Sequence, residues 1–211
     1  MIELIDQNKN LSLYIHVPFC KSKCGYCAFY SLPSPCVKKE EVEKYLTTIK
    51  TKIQNLTTEY TKPFYTIFIG GGNPGTLGFE ALKELLTLAQ VNGKAKEVTI
   101  EINPEYVTDQ IETILPLLTR ISIGLQSFDD DKLKVLERNT SSVENKKALT
   151  LLAKLKQKYD FSINGDLICC VPGETTSVIK SDITTLLAFP VSHISLYGLQ
   201  FEEGTPLVFK H

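Results

Sequence analysis

Apolar residues recur along this chain with two periods that take turns, and the alternation predicts its architecture. Short runs at 11–17, 66–69, 97–102, 120–125, 161–168 and 193–199 have the length and β-branched content of strands. Between them apolar positions return every three or four residues, as on one face of a helix. Val42, Tyr45, Leu46, Ile49, Ile53 and Leu56 make one such face, and Phe79, Leu82, Leu85, Leu86 and Ala89 a second. Ala148, Leu151, Leu152, Leu155 and Tyr159 make a third. A further helix is expected over about 108–118, with Pro116 disturbing its last turn, and another from about 175. Strands that alternate with helices predict parallel βαβ units.

Two α/β architectures fit, an open doubly wound sheet and a partial (β/α)6 TIM-like barrel. Cys20, Gly70 to Gly72, Glu101, Gln126 and Asp166 all fall at or just past the C-terminal ends of their strands. Loops converge on chemistry at that rim of a barrel, whereas an open sheet brings together only the strands at its switch point. Polar residues from five successive strands favour the partial barrel. No composition break or low-complexity tract divides the chain, so 1–211 reads as one domain. In the third strand Val98, Ile100 and Ile102 share one face, and Thr99 and Glu101 the other. A carboxylate there needs a partner, either a ligand or a salt bridge.

Charge and composition narrow the functions. The 211 residues are 43% hydrophobic with a formal net charge of -1, enough for one sizeable core and no broad basic field for nucleic acid. No apolar run approaches the roughly 20 residues that cross a bilayer. The start, Met1-Ile2-Glu3-Leu4-Ile5-Asp6, lacks the basic-then-apolar pattern of a secretion signal. Six cysteines without such a signal point to a reducing, cytoplasmic setting.

Cys20, Cys24 and Cys27 sit directly after the first strand. A four-iron cluster normally takes four thiolates, so three on one short loop leave one iron open to a small molecule. Structural zinc is the competing reading, but it wants four closed ligands, and the nearby candidates for the fourth are His16 and Cys36. His193 and His211 are single histidines without helical partners, and the adjacent Cys169 and Cys170 read as small buried hydrophobes. Gly70-Gly71-Gly72 lets backbone approach a ligand, although a tight strand-to-helix turn wants glycine anyway.

The Cys-x-x-x-Cys-x-x-Cys loop resembles that of the radical S-adenosylmethionine (SAM) superfamily. The wider segments Tyr14-Ile15-His16-Val17-Pro18-Phe19-Cys20, Ile67-Phe68-Ile69-Gly70-Gly71-Gly72-Asn73-Pro74 and Thr99-Ile100-Glu101-Ile102-Asn103-Pro104 are similar to the oxygen-independent coproporphyrinogen III dehydrogenase family. So are Ile121-Ser122-Ile123-Gly124-Leu125-Gln126-Ser127-Phe128, Asp166-Leu167-Ile168 and Glu203-Gly204-Thr205-Pro206-Leu207. The resemblance implies that Cys20, Cys24 and Cys27 hold a 4Fe–4S cluster, and that its open iron chelates the amino and carboxylate groups of SAM. A reduced cluster would then pass an electron into the sulfonium and release a 5′-deoxyadenosyl radical. Gly72 and Asn73, the latter in place of the usual threonine, would hold the methionyl part. Arg138 would meet the SAM carboxylate and Gln126 and Asp166 its ribose; Glu101 would belong to the cofactor site, Tyr14 would pack near the cofactor, and Tyr26 would keep water from the cluster. By position alone Arg138 belongs to a helix begun by Asp129 to Asp131, and Glu137 precedes it where the family usually has glycine. Family members continue well beyond the sixth strand, so 1–211 corresponds to the core domain without the family's C-terminal domain.

Two branches of that family differ at one position. Decarboxylating members carry a fourth cysteine, where Cys27-Ala28-Phe29 places Phe29; a Cys-x-Phe ending is similar to the haem chaperone branch. The resemblance therefore implies haem as the tetrapyrrole partner, with coproporphyrinogen III decarboxylation as the alternative and an electron donor such as flavodoxin or ferredoxin. A degenerate core that binds a cluster without radical chemistry is the third reading, prompted by Asn73, Glu137 and Cys170.

Overall fold

The computed structural model describes residues 6–209; residues 1–5 and 210–211, among them the start inspected for a secretion signal and His211, lie outside them. Six strands form one parallel sheet: β1 Leu13–Val17, β2 Thr66–Gly71, β3 Glu97–Ile102, β4 Arg120–Gln126, β5 Ser162–Cys169 and β6 His193–Gly198. Their order in the sheet is their order in the chain, with no reversal. A doubly wound sheet must reverse at a switch point. Unreversed order is that of a βα barrel, here left open between β1 and β6, as the partial-barrel reading expects.

The two faces of the sheet differ chemically because the side-chain period is two. One face carries Ile15, Val17, Ile67, Ile69, Val98, Ile100, Ile121, Ile123, Ile163 and Leu167, all buried. Against it pack α1 (Lys39–Glu59), α2 (Phe79–Ala89) and α4 (Ser142–Leu155), through Ile53, Leu82, Leu85, Leu86, Leu149 and Leu152. Each of these large aliphatic side chains contributes about 1.5–3 kcal/mol by leaving water. The register sets Glu101, Ser122, Asn164 and His193 level with one another on the opposite face, and Gly124, Asp166 and Ser195 level above them. That inner face is polar because it lines a cavity rather than a second helical layer.

The segment 108–118 departs from expectation. After a first 3-10 turn at Pro104–Tyr106 it consists of two more, Asp109–Thr113 and Leu115–Leu117, and not of an α-helix. Pro116 can neither donate the α-helical hydrogen bond nor avoid the carbonyl four residues back, so only short turns remain. The connection from β4 to β5 holds two helices, α3 (Asp130–Val135) before α4. Asp129 caps α3 by accepting from the Lys132 N–H at 2.8 Å, and Ser141 caps α4 from the Glu144 N–H at 3.2 Å. α5 (Thr176–Leu187) precedes β6.

Candidate functional site

The three-cysteine loop begins where β1 stops. Pro18 redirects the chain, and Phe19–Cys20 then pairs in parallel with Leu32–Pro33, so the residues between leave and return at one point. Inside the loop the Cys27 N–H donates to the Cys24 carbonyl at 3.2 Å, and the Gly25 N–H to the Leu136 carbonyl beyond α3 at 3.2 Å. The loop is thereby tied to the end of α3.

Gly71 and Gly72 explain how β2 fits beside it. Gly71 has φ +108, and a Cβ there would lie 2.5 Å from the His16 ring; one on Gly72 would lie 2.5 Å from the Phe19 carbonyl oxygen. The space that glycine leaves is thus filled by the protein's own atoms, which seats the cysteine loop against β2. The sequence leaves open whether the glycine run serves a ligand or a tight turn; this packing is a reason for glycine that the sequence alone could not show.

Cys20, Cys24 and Cys27 are half-buried and line one cavity of about 860 Å³ at the C-terminal ends of the strands. Tyr26, Gly72, Asn73, Glu101, Gln126, Arg138 and Asp166 line the same cavity. Tyr14 does not: its register sets it level with Phe68 and Thr99, two residues below Glu101 on β3. It is 56% exposed, and its hydroxyl bonds to His16 Nδ1 at 2.9 Å. Phe29 stands at the rim, lining the cavity with a ring 71% exposed.

The polar groups around the cavity are held in place individually. Glu101 Oε2 accepts from the Gly71 N–H at 3.2 Å. Burial, then the charge of Asp166, pushes its carboxyl above the ordinary carboxylate range, against the opposing pull of that N–H. Asp166 accepts from Ser122 Oγ at 2.8 Å and from Asn164 Nδ2 at 2.7 Å. Each carboxylate oxygen keeps further acceptor capacity for a ligand. Gln126 has φ +66 at a break in register between β4 and β5, and the kink turns it into the cavity. Asn73 is 1% exposed; its Oδ1 caps the following turn by accepting from Gly75 N at 2.9 Å. Its Nδ2 is buried without a partner, a donor available to a ligand.

Arg138 arrives through the left-handed Glu137, φ +53, just past α3. Its Nη2 donates to the Gly124 carbonyl at 2.6 Å and to Asn103 Oδ1 at 3.1 Å, and its Nη1 to Cys24 Sγ at 3.4 Å. Nη2 thus serves two acceptors, while the buried Nε has no partner and keeps an N–H for a ligand such as a SAM carboxylate. Burial works against the Arg138 charge, but Tyr26 and Cys24 outweigh it and hold the group above its ordinary value. Tyr26 packs against Leu136, Ile168 and Val171, and burial raises its hydroxyl well above the usual tyrosine range. The roles of Asn103, Ser122 and Asn164 emerge only from the structure. Their two-residue spacing from Glu101, Gly124 and Asp166 was the available signal.

The three thiols that line the cavity match the donor set of a cluster with one open iron. Among the described residues no group of three or more His, Cys, Asp or Glu side chains could hold a metal ion. His16 Nε2 bonds to the Tyr30 carbonyl at 3.0 Å and so must carry the proton, leaving Nδ1 to accept from Tyr14. Cys36 is exposed in the turn Ser34–Cys36, away from the cavity. Neither fourth zinc ligand considered from the sequence reaches the three thiols. Burial pushes the Cys20 and Cys27 thiols up, so a metal must displace their protons on binding. Cys169 and Cys170 are not the buried pair expected: Cys170 is exposed with φ +62, and the two sulfurs are 3.8 Å apart.

A parallel partial barrel with a three-cysteine loop at its C-terminal mouth defines a class of cluster-binding βα proteins. The chain belongs to the Radical SAM superfamily, whose sequence model matches residues 14–185. Membership implies a 4Fe–4S cluster and SAM as cofactors. Among individual proteins it is similar to the heme chaperone HemW of Lactococcus lactis subsp. lactis, 31% identical over 199 residues that make up 92% of this chain and 50% of that protein. HemW of Buchnera aphidicola subsp. Acyrthosiphon pisum is 35% identical over 201 residues, 92% of this chain and 52% of the relative. The chain thus spans about half the length of the curated relatives it matches. The solved structure of coproporphyrinogen III oxidase (HemN) from Escherichia coli, a radical SAM enzyme, shares the fold: TM-score 0.78 at 21% identity, over 90% of this chain and 44% of that one. No helix among the described residues is long and apolar enough to cross a membrane.

Proposed function

We propose that this chain is the radical SAM core of a haem-handling protein of the HemW kind, working in the cytoplasm with haem as its tetrapyrrole and a flavodoxin or ferredoxin as electron donor. Cys20, Cys24 and Cys27 hold the cluster. Asn73 Nδ2 and the backbone at Gly72 receive the methionyl part of SAM, Glu101 its ammonium group, and Gln126 and Asp166 its ribose hydroxyls. Cluster and SAM together supply one-electron reductive chemistry at a sulfonium. The chain's own residues orient SAM, keep Asp166 fixed through Ser122 and Asn164, and exclude water on the Tyr26 side. The observation that carries the haem reading is Phe29. A phenyl ring lines the cavity two residues past Cys27, where decarboxylating relatives of this family resemblance have a thiol. It can neither ligate nor transfer an electron.

Anaerobic reconstitution tests the reading. Loss of the brown chromophore is expected for Cys20→Ala, Cys24→Ala and Cys27→Ala, and its retention for Cys36→Ala. The reconstituted, reduced protein is expected to bind haem, seen as a shifted Soret band, and to leave coproporphyrinogen III intact in the presence of SAM. Multiple-turnover formation of protoporphyrinogen IX would replace the haem reading with the decarboxylase. A cluster indifferent to saturating SAM would replace both with a degenerate core.

A further inference from the structure

Arg138 touches the cysteine loop in a way that SAM binding does not explain. Its Nη1–H points at Cys24 Sγ, 3.4 Å away, while Gly124 and Asn103 hold Nη2 from the opposite side. Asn103 is itself fixed: its Nδ2 donates to Glu105 Oε1 at 3.3 Å, which leaves Oδ1 as the atom facing Arg138. The Arg138 N–H donates to the Leu133 carbonyl at 2.9 Å, anchoring the backbone on α3. Gly25, next to Cys24, hangs from the Leu136 carbonyl at the same helix end. Thiol and guanidinium are therefore positioned from one element, and their contact does not depend on a flexible surface arm.

We infer that Arg138, oriented by Asn103 and Gly124, is a redox-tuning residue whose N–H···S bond to Cys24 raises the reduction potential of the cluster. This rests on the reading of Cys24 as a cluster ligand. Hydrogen bonds to cluster sulfurs, and positive charge near them, withdraw electron density and favour the reduced state. A guanidinium supplies both, keeps its charge at any working pH, and holds its direction because the fork is planar. The N–H···S bond of Arg138 falls on Cys24, while its charge also reaches Cys20 and Cys27, the latter beside Lys23.

The test is the midpoint potential of the reconstituted cluster in the full chain, followed by electron paramagnetic resonance and paired with iron and sulfide analysis. Arg138→Gln removes the charge, and the reduced-to-oxidised ratio at a fixed potential is expected to fall at least about tenfold, equal to about 59 mV for a one-electron couple. Arg138→Lys keeps the charge and loses the fork, and should fall between Arg138→Gln and the parent. Asn103→Ala releases the guanidinium without removing it, and should shift the potential the same way by less. This order at unchanged iron content supports tuning, since a merely structural role would lower iron content and leave the potential of the remaining clusters alone. An unshifted midpoint in Arg138→Gln with a full cluster overturns the inference and leaves the cluster assignment standing. A parent chain that assembles no cluster, or one whose cluster survives Cys24→Ala, overturns both.

Discussion

Glu101 faces the cavity behind Gly71 with Asp166 opposite, and its environment opposes the charge that a SAM ammonium needs. Burial first, then Asp166, raises its carboxyl above the ordinary range, so the folded chain holds that proton more tightly than the unfolded chain does. For a raised acid, the favourable contribution is complete below the unfolded value of about 4.3 and is lost as pH rises through the folded value. Glu101→Gln, which can still accept from Gly71, is therefore expected to stabilise the cofactor-free chain at pH 8 and to confer no gain near pH 3. Urea midpoints at the two pH values check this. An equal gain at both would show that shape, and not ionisation, is responsible. The same variant is expected to bind SAM more weakly, an outcome that would mark Glu101 as kept for a ligand at the expense of stability.

Among the elements, α3 and α5 meet through charge. Lys132 Nζ donates to Asp182 Oδ2 at 2.9 Å and also pairs with Glu174, with all three side chains almost fully enclosed. Asp182 further accepts from Ser127 Oγ at 2.7 Å and from the Phe128 N–H at 2.6 Å. This network holds α5 and the loop after β5 against the turn that follows β4. Removing one member of a buried network strands the others, so Asp182→Ala should cost about 3–5 kcal/mol. The exposed pair Lys39–Glu43 on α1, 3.7 Å apart, serves as the control: Glu43→Ala should change stability by less than about 1 kcal/mol. Denaturant titration of the two variants separates a working network from a surface decoration. The sequence could not announce this triad, because its members are scattered over three elements with no shared period.

At the scale of the whole molecule, the cavity exists only when the strands lie in register. Asp166 comes from β5, Glu101 from β3, and Asn73 from the turn after β2, yet all line one space. SAM bound there should stabilise the entire reconstituted fold, by about 2.7 kcal/mol at a concentration one hundred times its dissociation constant. Asp166→Ala deletes an acceptor already oriented by Ser122 and Asn164, and should weaken SAM by about 1–3 kcal/mol, roughly 5- to 150-fold. Calorimetry on the reconstituted protein, with thermal shifts alongside, reads both numbers. Unchanged affinity in Asp166→Ala would remove this carboxylate from the SAM site.

The sequence by itself determined the six strands, the major helices and the cysteine loop. Period and spacing are local, and β-branched runs such as Thr66 to Ile69 or the helical face of Leu82, Leu85 and Leu86 need no distant partner to be recognised. It also placed the residues of the cavity near the ends of successive strands, since parallel βα connection puts those ends on one side. Only the tertiary structure decided what each group faces. Register, not sequence, lowers Tyr14 by two residues relative to Glu101 and takes it out of the cavity. The close approach of His16 to Gly71 and of Phe19 to Gly72 requires glycine there whether or not a ligand binds. Pro116 turned a helical pattern into 3-10 turns because one missing N–H outweighs a weak periodicity. Arg138 lies 114 residues from Cys24 along the chain. Their hydrogen bond is a property of packing that no local pattern carries.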